Sequence, residues 1–222
     1  MTVLEFGGYE IDIDTETDIE KRRADNFDNE SRFMEDLLDE FREDDVFWDI
    51  GANIGIYSLF AANIIKSGEI HSFEPHPSNI LKLLNNVHRD DSGLIFVHNI
   101  ALHDSSGTVR FDPVSGETGE GHGHISTSGE MLVECRRGDQ LDINPPDVIK
   151  IDVEGAEMRV LNGLFGLLGG ARAVYIEAHP QRMMNRYDDS VGDIIDLVKR
   201  RGMTTRTLMV RGREKFMKLE QR

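Results

Sequence analysis

One cysteine, Cys135, stands in the whole 222-residue chain, which excludes an internal disulfide and a cysteine-rich zinc site. Long apolar runs are missing too. None approaches the roughly 20 residues that a membrane-spanning helix needs. Met1–Glu5 lacks the basic segment and apolar stretch of a secretory leader, so the expected location is cytoplasmic. Positive charge is scarce, with 25 Lys+Arg against 41 Asp+Glu and a formal net charge of −16. Such a surface repels phosphate backbones and disfavours nucleic acid as a partner. The basic residues that gather near the C-terminus (Arg200, Arg201, Arg206, Arg211, Arg213, Lys215, Lys218) read as a solvated face balancing an acidic body. An acid-rich surface also suits work in high salt, where self-repulsion is screened. Two nucleotide signatures are absent as well. After Gly51, a Gly-x-Gly-x-x-Gly run would need glycines where Asn53 and Ile56 stand, and no Gly-x-x-x-x-Gly-Lys-Ser/Thr occurs.

What is present is 39% hydrophobic residues, enough for a sizeable core in one domain, with an N-terminal appendage at residues 1–42 ahead of a main unit at 43–222. Residues 3–14 alternate apolar and polar around Gly7-Gly8, predicting a hairpin, and 28–42 put Phe33, Leu37, Leu38 and Phe41 on one helical face. From Val46 onward, strand and helix patterns take turns. Strands are expected at 46–50, 69–74, 94–98, 148–153 and 173–177, and helices at 54–66, 77–88, 156–168 and 191–201. A closing hairpin is expected around Arg211-Gly212-Arg213. Alternation of this kind implies an α/β fold, its parallel sheet covered on both faces. Ligands of such sheets sit beyond the C-terminal strand ends, so the residues there carry most information. They include Asp49–Gly55, Glu74, Asn99–Ala101, Asp152–Glu157 and Glu177–His179.

The turn Asp49-Ile50-Gly51-Ala52-Asn53-Ile54-Gly55 has glycines that allow close backbone approach to a ligand. With the pyrophosphate patterns failing, a nucleoside without pyrophosphate is the remaining tenant. S-adenosyl-L-methionine fits, its ammonium pairing with Asp49 and its carboxylate received by loop N–H groups. Glu74, at the end of the next strand, is placed to accept hydrogen bonds from ribose hydroxyls. Phe47–Ser58 resembles motif I of class I S-adenosylmethionine-dependent methyltransferases in the form found in the FkbM-like family. Phe73-Glu74-Pro75-His76-Pro77, Asn99-Ile100-Ala101-Leu102 and Lys150-Ile151-Asp152-Val153-Glu154-Gly155-Ala156-Glu157 carry the same resemblance. It implies a Rossmann-like, mostly parallel seven-stranded sheet closed by an antiparallel hairpin, and methyl transfer, commonly to a hydroxyl oxygen. It also implies that Asp49, Gly51, Ala52, Asn53 and Gly55 line the methionine end of the cofactor, that Glu74 holds the ribose, and that Asn99 and Ala101 border the adenine. Trp48, before Asp49, is bulkier than the family's usual residue.

An alcohol acceptor must also lose a proton. Asp152 is the first candidate for that acceptor-side role, Glu154 the alternative base, and His179 a base poised near neutrality. Glu157 either joins them or favours a helix N-terminus through its dipole. Carboxylate oxygens of Asp152, Glu154 and Glu177 suit Mg²⁺, but the resemblance gives no reason to expect one and no metal is assigned. The glycine-rich run 112–130, with His122 and His124, is expected to be a flexible lid over the acceptor. The acceptor is expected to be a small molecule or glycan. A non-catalytic nucleoside-binding module of the same fold and a Rossmann-type oxidoreductase are the competing readings.

Overall fold

A computed structural model of the chain describes residues 1–114, 118–119, 121–180 and 189–221. The N-terminal alternation forms a hairpin of β1 (Thr2–Phe6) and β2 (Tyr9–Ile13), turning through Gly7 and Gly8 at positive φ. Helix α1 (Asp18–Asn26) follows and has too few apolar residues to show a helical period. Its start is nevertheless written in Thr17-x-x-Glu20, a capping box. The Glu20 N–H donates to Thr17 Oγ1 at 3.1 Å, and the Thr17 N–H donates to Glu20 Oε2 at 3.0 Å. Helix α2 (Ser31–Glu40) buries Phe33, Met34, Leu37 and Leu38, the face that the sequence period predicts.

The main sheet has seven strands. Five are parallel: β3 (Val46–Ile50), β4 (Glu69–Phe73), β5 (Ile95–His98), β10 (Val148–Ile151) and β11 (Ala173–Ala178). The closing hairpin, β12 (Met203–Arg211) and β13 (Glu214–Gln221), joins antiparallel to β11. The spatial order is β12-β13-β11-β10-β3-β4-β5. After β3 the chain winds outward through β4 and β5 before returning to β10, so the switch point lies between β3 and β10. Val- and Ile-rich strands such as β10 and β11, buried at every position, require cover on both faces.

On one face, α2 and α3 (Ile56–Ala62) supply the cover, with Phe33 edge-on to Tyr175 and Phe216 at 5.6 and 5.2 Å. The other face carries α5 (Glu157–Gly163) and α6 (Val191–Arg200) over Ile149, Val174 and Leu219. Trp48 joins this second core, 1% exposed, its indole N–H on the Asn144 carbonyl. Helix α4 (Pro77–Val87) packs beside β5. The expected helices at 54–66 and 156–168 are shorter than their periodicity, because turns take over at both ends.

A second sheet was not legible. Strands β6 (Ala101–Leu102), β7 (Gly107–Asp112), β8 (His124–Ile125) and β9 (Met131–Arg136) pair in the order β6-β9-β7-β8. The run expected as a structureless lid therefore contributes β8. Its Gly123 and Gly129 pack so tightly on Phe111 that a Cβ would lie 2.8 and 2.5 Å from it. Residues 115–117 and 120 of that run lie outside the described residues. The basic C-terminal cluster also has a structural account. Arg206 pairs with Asp36 at 2.8 Å, and Lys218 with Glu40 at 2.6 Å, fastening the hairpin to α2.

Candidate active site

The β3–α3 turn sets the geometry. Gly51, Asn53 and Gly55 all have positive φ, at 79°, 52° and 96°, a region that glycine enters freely and asparagine tolerates. A Cβ on Gly51 would lie 1.8 Å from the Asp152 carbonyl oxygen, so the β3 and β10 turns touch at the switch point. The Asn53 N–H donates to Glu74 Oε2 at 2.7 Å, and the His76 N–H to Oε1 at 2.8 Å. These two bonds fix the buried carboxylate at the end of β4, facing the β3–α3 turn.

Two cavities open here. The first lies between the glycine turn, Glu74, Ile100–Leu102 and the second sheet, with Phe73, Phe111 and Ile125 as apolar walls. The second lies under the N-terminal segment and is bounded by Glu30, Tyr57, Lys150, Glu177 and Arg211. Asp152, Glu154 and Gly121 line both. Of the residues that the sequence nominates for a cofactor, Gly51, Asn53, Glu74 and Ala101 line the first cavity and Ala52 the second.

Asp49, Gly55 and Asn99 line neither. The Asp49 carboxylate, fully buried, accepts from Ser58 Oγ at 2.7 Å and faces Lys150 Nζ at 3.2 Å. Lys150, on the neighbouring strand, thus supplies an ammonium beside Asp49 from within the chain, and it also donates to the Gly51 carbonyl at 2.9 Å, bracing the turn from beneath. Gly55 is pressed on Leu83, and Asn99 Nδ2 donates to the Glu74 carbonyl at 2.9 Å.

Glu154 sits in the β10–α5 turn with φ 54°, a strained conformation for a side-chain-bearing residue and common at functional sites. Burial works to raise its pKa, but His122 and His179 overcome that and pull the carboxyl down to about 2. His179, 2% exposed, is held by Glu157 Oε1 on Nδ1 at 2.6 Å and by Glu154 Oε2 on Nε2 at 3.3 Å. Burial opposes its charge, yet Glu154 and Glu157 push its pKa up to about 12. The direction is toward the imidazolium, away from the near-neutral titration that the sequence suggests. The reason is the carboxylates folded around it. Burial, with Asp152 and Glu30 beside it, pushes the Glu177 carboxyl up to about 9 against the pull of His179 and Arg211.

Among the described residues, Asp152, Glu154 and His179 have ligand atoms within 4.8 Å of one another, as do Glu177, His179 and Glu214. Sequence reasoning missed Lys150, Glu30, Tyr57 and Arg211. Lys150 and Tyr57 stood within quoted motifs, whereas Glu30 and Arg211 carried no signal of proximity.

Residues 49–203 match the family described as Methyltransferase FkbM domain. The chain is 32% identical over 181 residues to the hexuronic acid methyltransferase AglP of Haloferax volcanii, covering 80% of this chain and 74% of that protein. It is 26% identical over 163 residues to the 2-O-methyltransferase NoeI of Sinorhizobium fredii, covering 64% and 66%. Among solved structures, methyltransferase FkbM from Methylobacillus flagellatus KT superposes with a TM-score of 0.58 at 18% identity, over 82% of this chain and 44% of that one. The chain thus spans less than half of that structure, and the likeness is one of fold.

Proposed function

We propose that this chain, which belongs to the Methyltransferase FkbM domain family of S-adenosyl-L-methionine-dependent methyltransferases, methylates a hydroxyl oxygen of a saccharide or related small molecule. The observation that carries the reading is the meeting of two cavities at Asp152 and Glu154, which line both. One cavity suits the cofactor and the other an acceptor. The first has apolar walls for a base and a buried carboxylate, Glu74, at the end of β4, where ribose hydroxyls would be met. Gly51, where a Cβ would strike the neighbouring turn, lets its backbone border that cavity directly. These features fit the nucleoside. S-adenosyl-L-methionine, when bound, supplies a methyl group activated by a sulfonium. The sugar-type acceptor is supported by the two relatives, one a hexuronic acid methyltransferase and the other a 2-O-methyltransferase.

Proton acceptance from the hydroxyl belongs to Asp152 in this reading. Glu154, with its pKa pulled to about 2 by the histidines, is a weak base. Asp152 lines both cavities, with Lys150 at 3.8 Å and His179 at 3.9 Å. His179 then acts as a positioning residue that holds Glu154, and Lys150 and Asp49 brace the turn.

The test is S-adenosylhomocysteine release with a panel of sugars, beside calorimetric binding of the cofactor. Glu74→Ala is expected to weaken cofactor binding by roughly 1–3 kcal/mol. Asp152→Asn is expected to keep that affinity while lowering turnover about 10²–10⁴-fold. Equal loss of cofactor affinity in both variants would overturn this division of labour. Tight NAD(H) binding in place of S-adenosyl-L-methionine would overturn the proposal itself.

A further inference from the structure

The acceptor cavity takes part of its wall from outside the stretch that matches the family. Glu30 precedes residue 49 and Arg211 follows residue 203, yet the two meet across this cavity. Arg211 Nη1 donates to Glu30 Oε1 at 2.5 Å, its Nη2 to Glu177 Oε1 at 2.7 Å and its Nε to Glu214 Oε2 at 2.8 Å. The Tyr57 hydroxyl donates to the other Glu30 oxygen. Burial, then the Glu30 charge, raises the Tyr57 pKa well above the ordinary phenol value, so this donor stays neutral. One planar guanidinium thus orients three carboxylates, while half of Glu30 is pinned by a phenol. Such a cluster is rigid, and its side chains border a cavity rather than a packed core.

Its chemistry narrows what it can hold. Carboxylate oxygens with a spare lone pair accept from hydroxyls, and an Arg–carboxylate pair offers donor and acceptor side by side with no net charge. A pair of adjacent hydroxyls matches that arrangement, each able to donate and accept. An anionic group does not match. It would face the carboxylates of Glu30, Asp152 and Glu154, while Lys150 and Arg211 are already committed to carboxyl groups and Arg22 is the further guanidinium of the wall.

We infer that the Glu30–Arg211 pair is the specificity element for the acceptor, gripping two adjacent hydroxyls of a polyhydroxylated ring so that a neighbouring hydroxyl is presented to Asp152. This rests on the proposed function. It adds that acceptor choice is written in the N-terminal segment and the closing hairpin, separately from the cofactor machinery. A carboxylate borne by the ring is held away from this pair.

The test compares the wild type with Glu30→Gln and Arg211→Lys. The probes are methyl glycosides of glucose, galactose, glucuronic acid and galacturonic acid, each beside its monodeoxy analogues. The readouts are S-adenosylhomocysteine release, calorimetric binding of each glycoside in the presence of S-adenosylhomocysteine, cofactor affinity, and thermal melting. The expected result is an acceptor KM and Kd raised about tenfold or more in both variants, with kcat and cofactor affinity changed less than about threefold. Removing one gripped hydroxyl should cost the wild type about tenfold and Glu30→Gln little, a coupling that a purely structural pair would not produce. Wild-type turnover with an acceptor KM that the variants leave unchanged would overturn this inference and leave the proposed function standing. A loss confined to melting temperature, equal for every glycoside, would do the same. Failure of the wild type both to turn over and to bind any glycoside would overturn both.

Discussion

The His179 imidazole is ringed by four carboxylates, with Glu157 at 2.6 Å, Glu154 at 3.3 Å, Glu177 at 3.8 Å and Asp152 at 3.9 Å. This ring sets the pH response of the site. An unfolded histidine titrates near about 6.5, whereas the folded one is pushed up to about 12. Its stabilising charge is therefore fully present below about pH 6.5 and is withdrawn as pH rises toward 12. Glu177 acts in the same direction. An unfolded glutamic acid loses its proton near about 4.3, but the folded residue keeps it until about 9, so stability falls across that interval as well. Glu154 has the opposite sign. Its contribution is complete above about pH 4.3 and is lost only as pH falls through about 2. Between pH 7 and 10 the first two dominate, and the melting temperature is expected to decline steadily. His179→Gln should flatten that decline while lowering stability by about 3–5 kcal/mol at pH 7, because it leaves buried carboxylates uncompensated. A wild-type melting profile level from pH 7 to 10 would refute the charge assigned to His179.

Between elements, the decisive tether is Lys82 on α4. It is 4% exposed, and its ammonium reaches Glu16 at 3.1 Å, Asp14 at 3.2 Å and Glu20 at 3.6 Å. One cation thereby ties the end of the N-terminal hairpin and the start of α1 to the main unit. Its surroundings raise the Lys82 pKa: burial works against the charge, but Glu16 and Asp14 outweigh it. The same corner receives the glycine-rich run, since the Gly119 N–H donates to Asn79 Oδ1 at 2.8 Å and Thr17 Oγ1 donates to the Thr118 carbonyl at 3.1 Å. Lys82→Met is expected to cost about 3–5 kcal/mol, the range for breaking a buried ion pair from one side. Proteolytic cleavage should appear first within residues 14–30, ahead of global unfolding. On the proposed division of the two cavities, loss of acceptor binding should exceed loss of cofactor binding, because Ile19 and Glu30 line only the second. Protease resistance equal to the wild type would show that the hairpin and α1 hold without this cation.

Across the whole molecule, a formal net charge of −16 means that the compact state works against its own repulsion. Salt at about 1 M shortens the screening length to about 3 Å, so the melting temperature should rise between 0.1 and 2 M KCl. A maximum at low ionic strength would refute the high-salt reading. The alternation of buried strands and amphipathic helices is a local pattern that depends on side-chain period and turn glycines. It was therefore enough to expect β3, β4, β5, β10, β11 and the closing hairpin of an α/β fold, and to locate the turns after β3 and β10. The segments resembling the family lie within those same turns and strands. Other features needed the folded chain. Two of the four strands in the second sheet have two residues each, too short for a period to register, and the six-residue β7 and β9 pair only in the folded chain. Asp49 faces Lys150, His179 sits among carboxylates that favour its charged form, and Arg211 reaches Glu30, all through neighbours distant along the chain. A residue's charge and the direction in which it can act depend on burial and on separations of 3–4 Å. Those distances exist only once the sheet has brought its strand ends together.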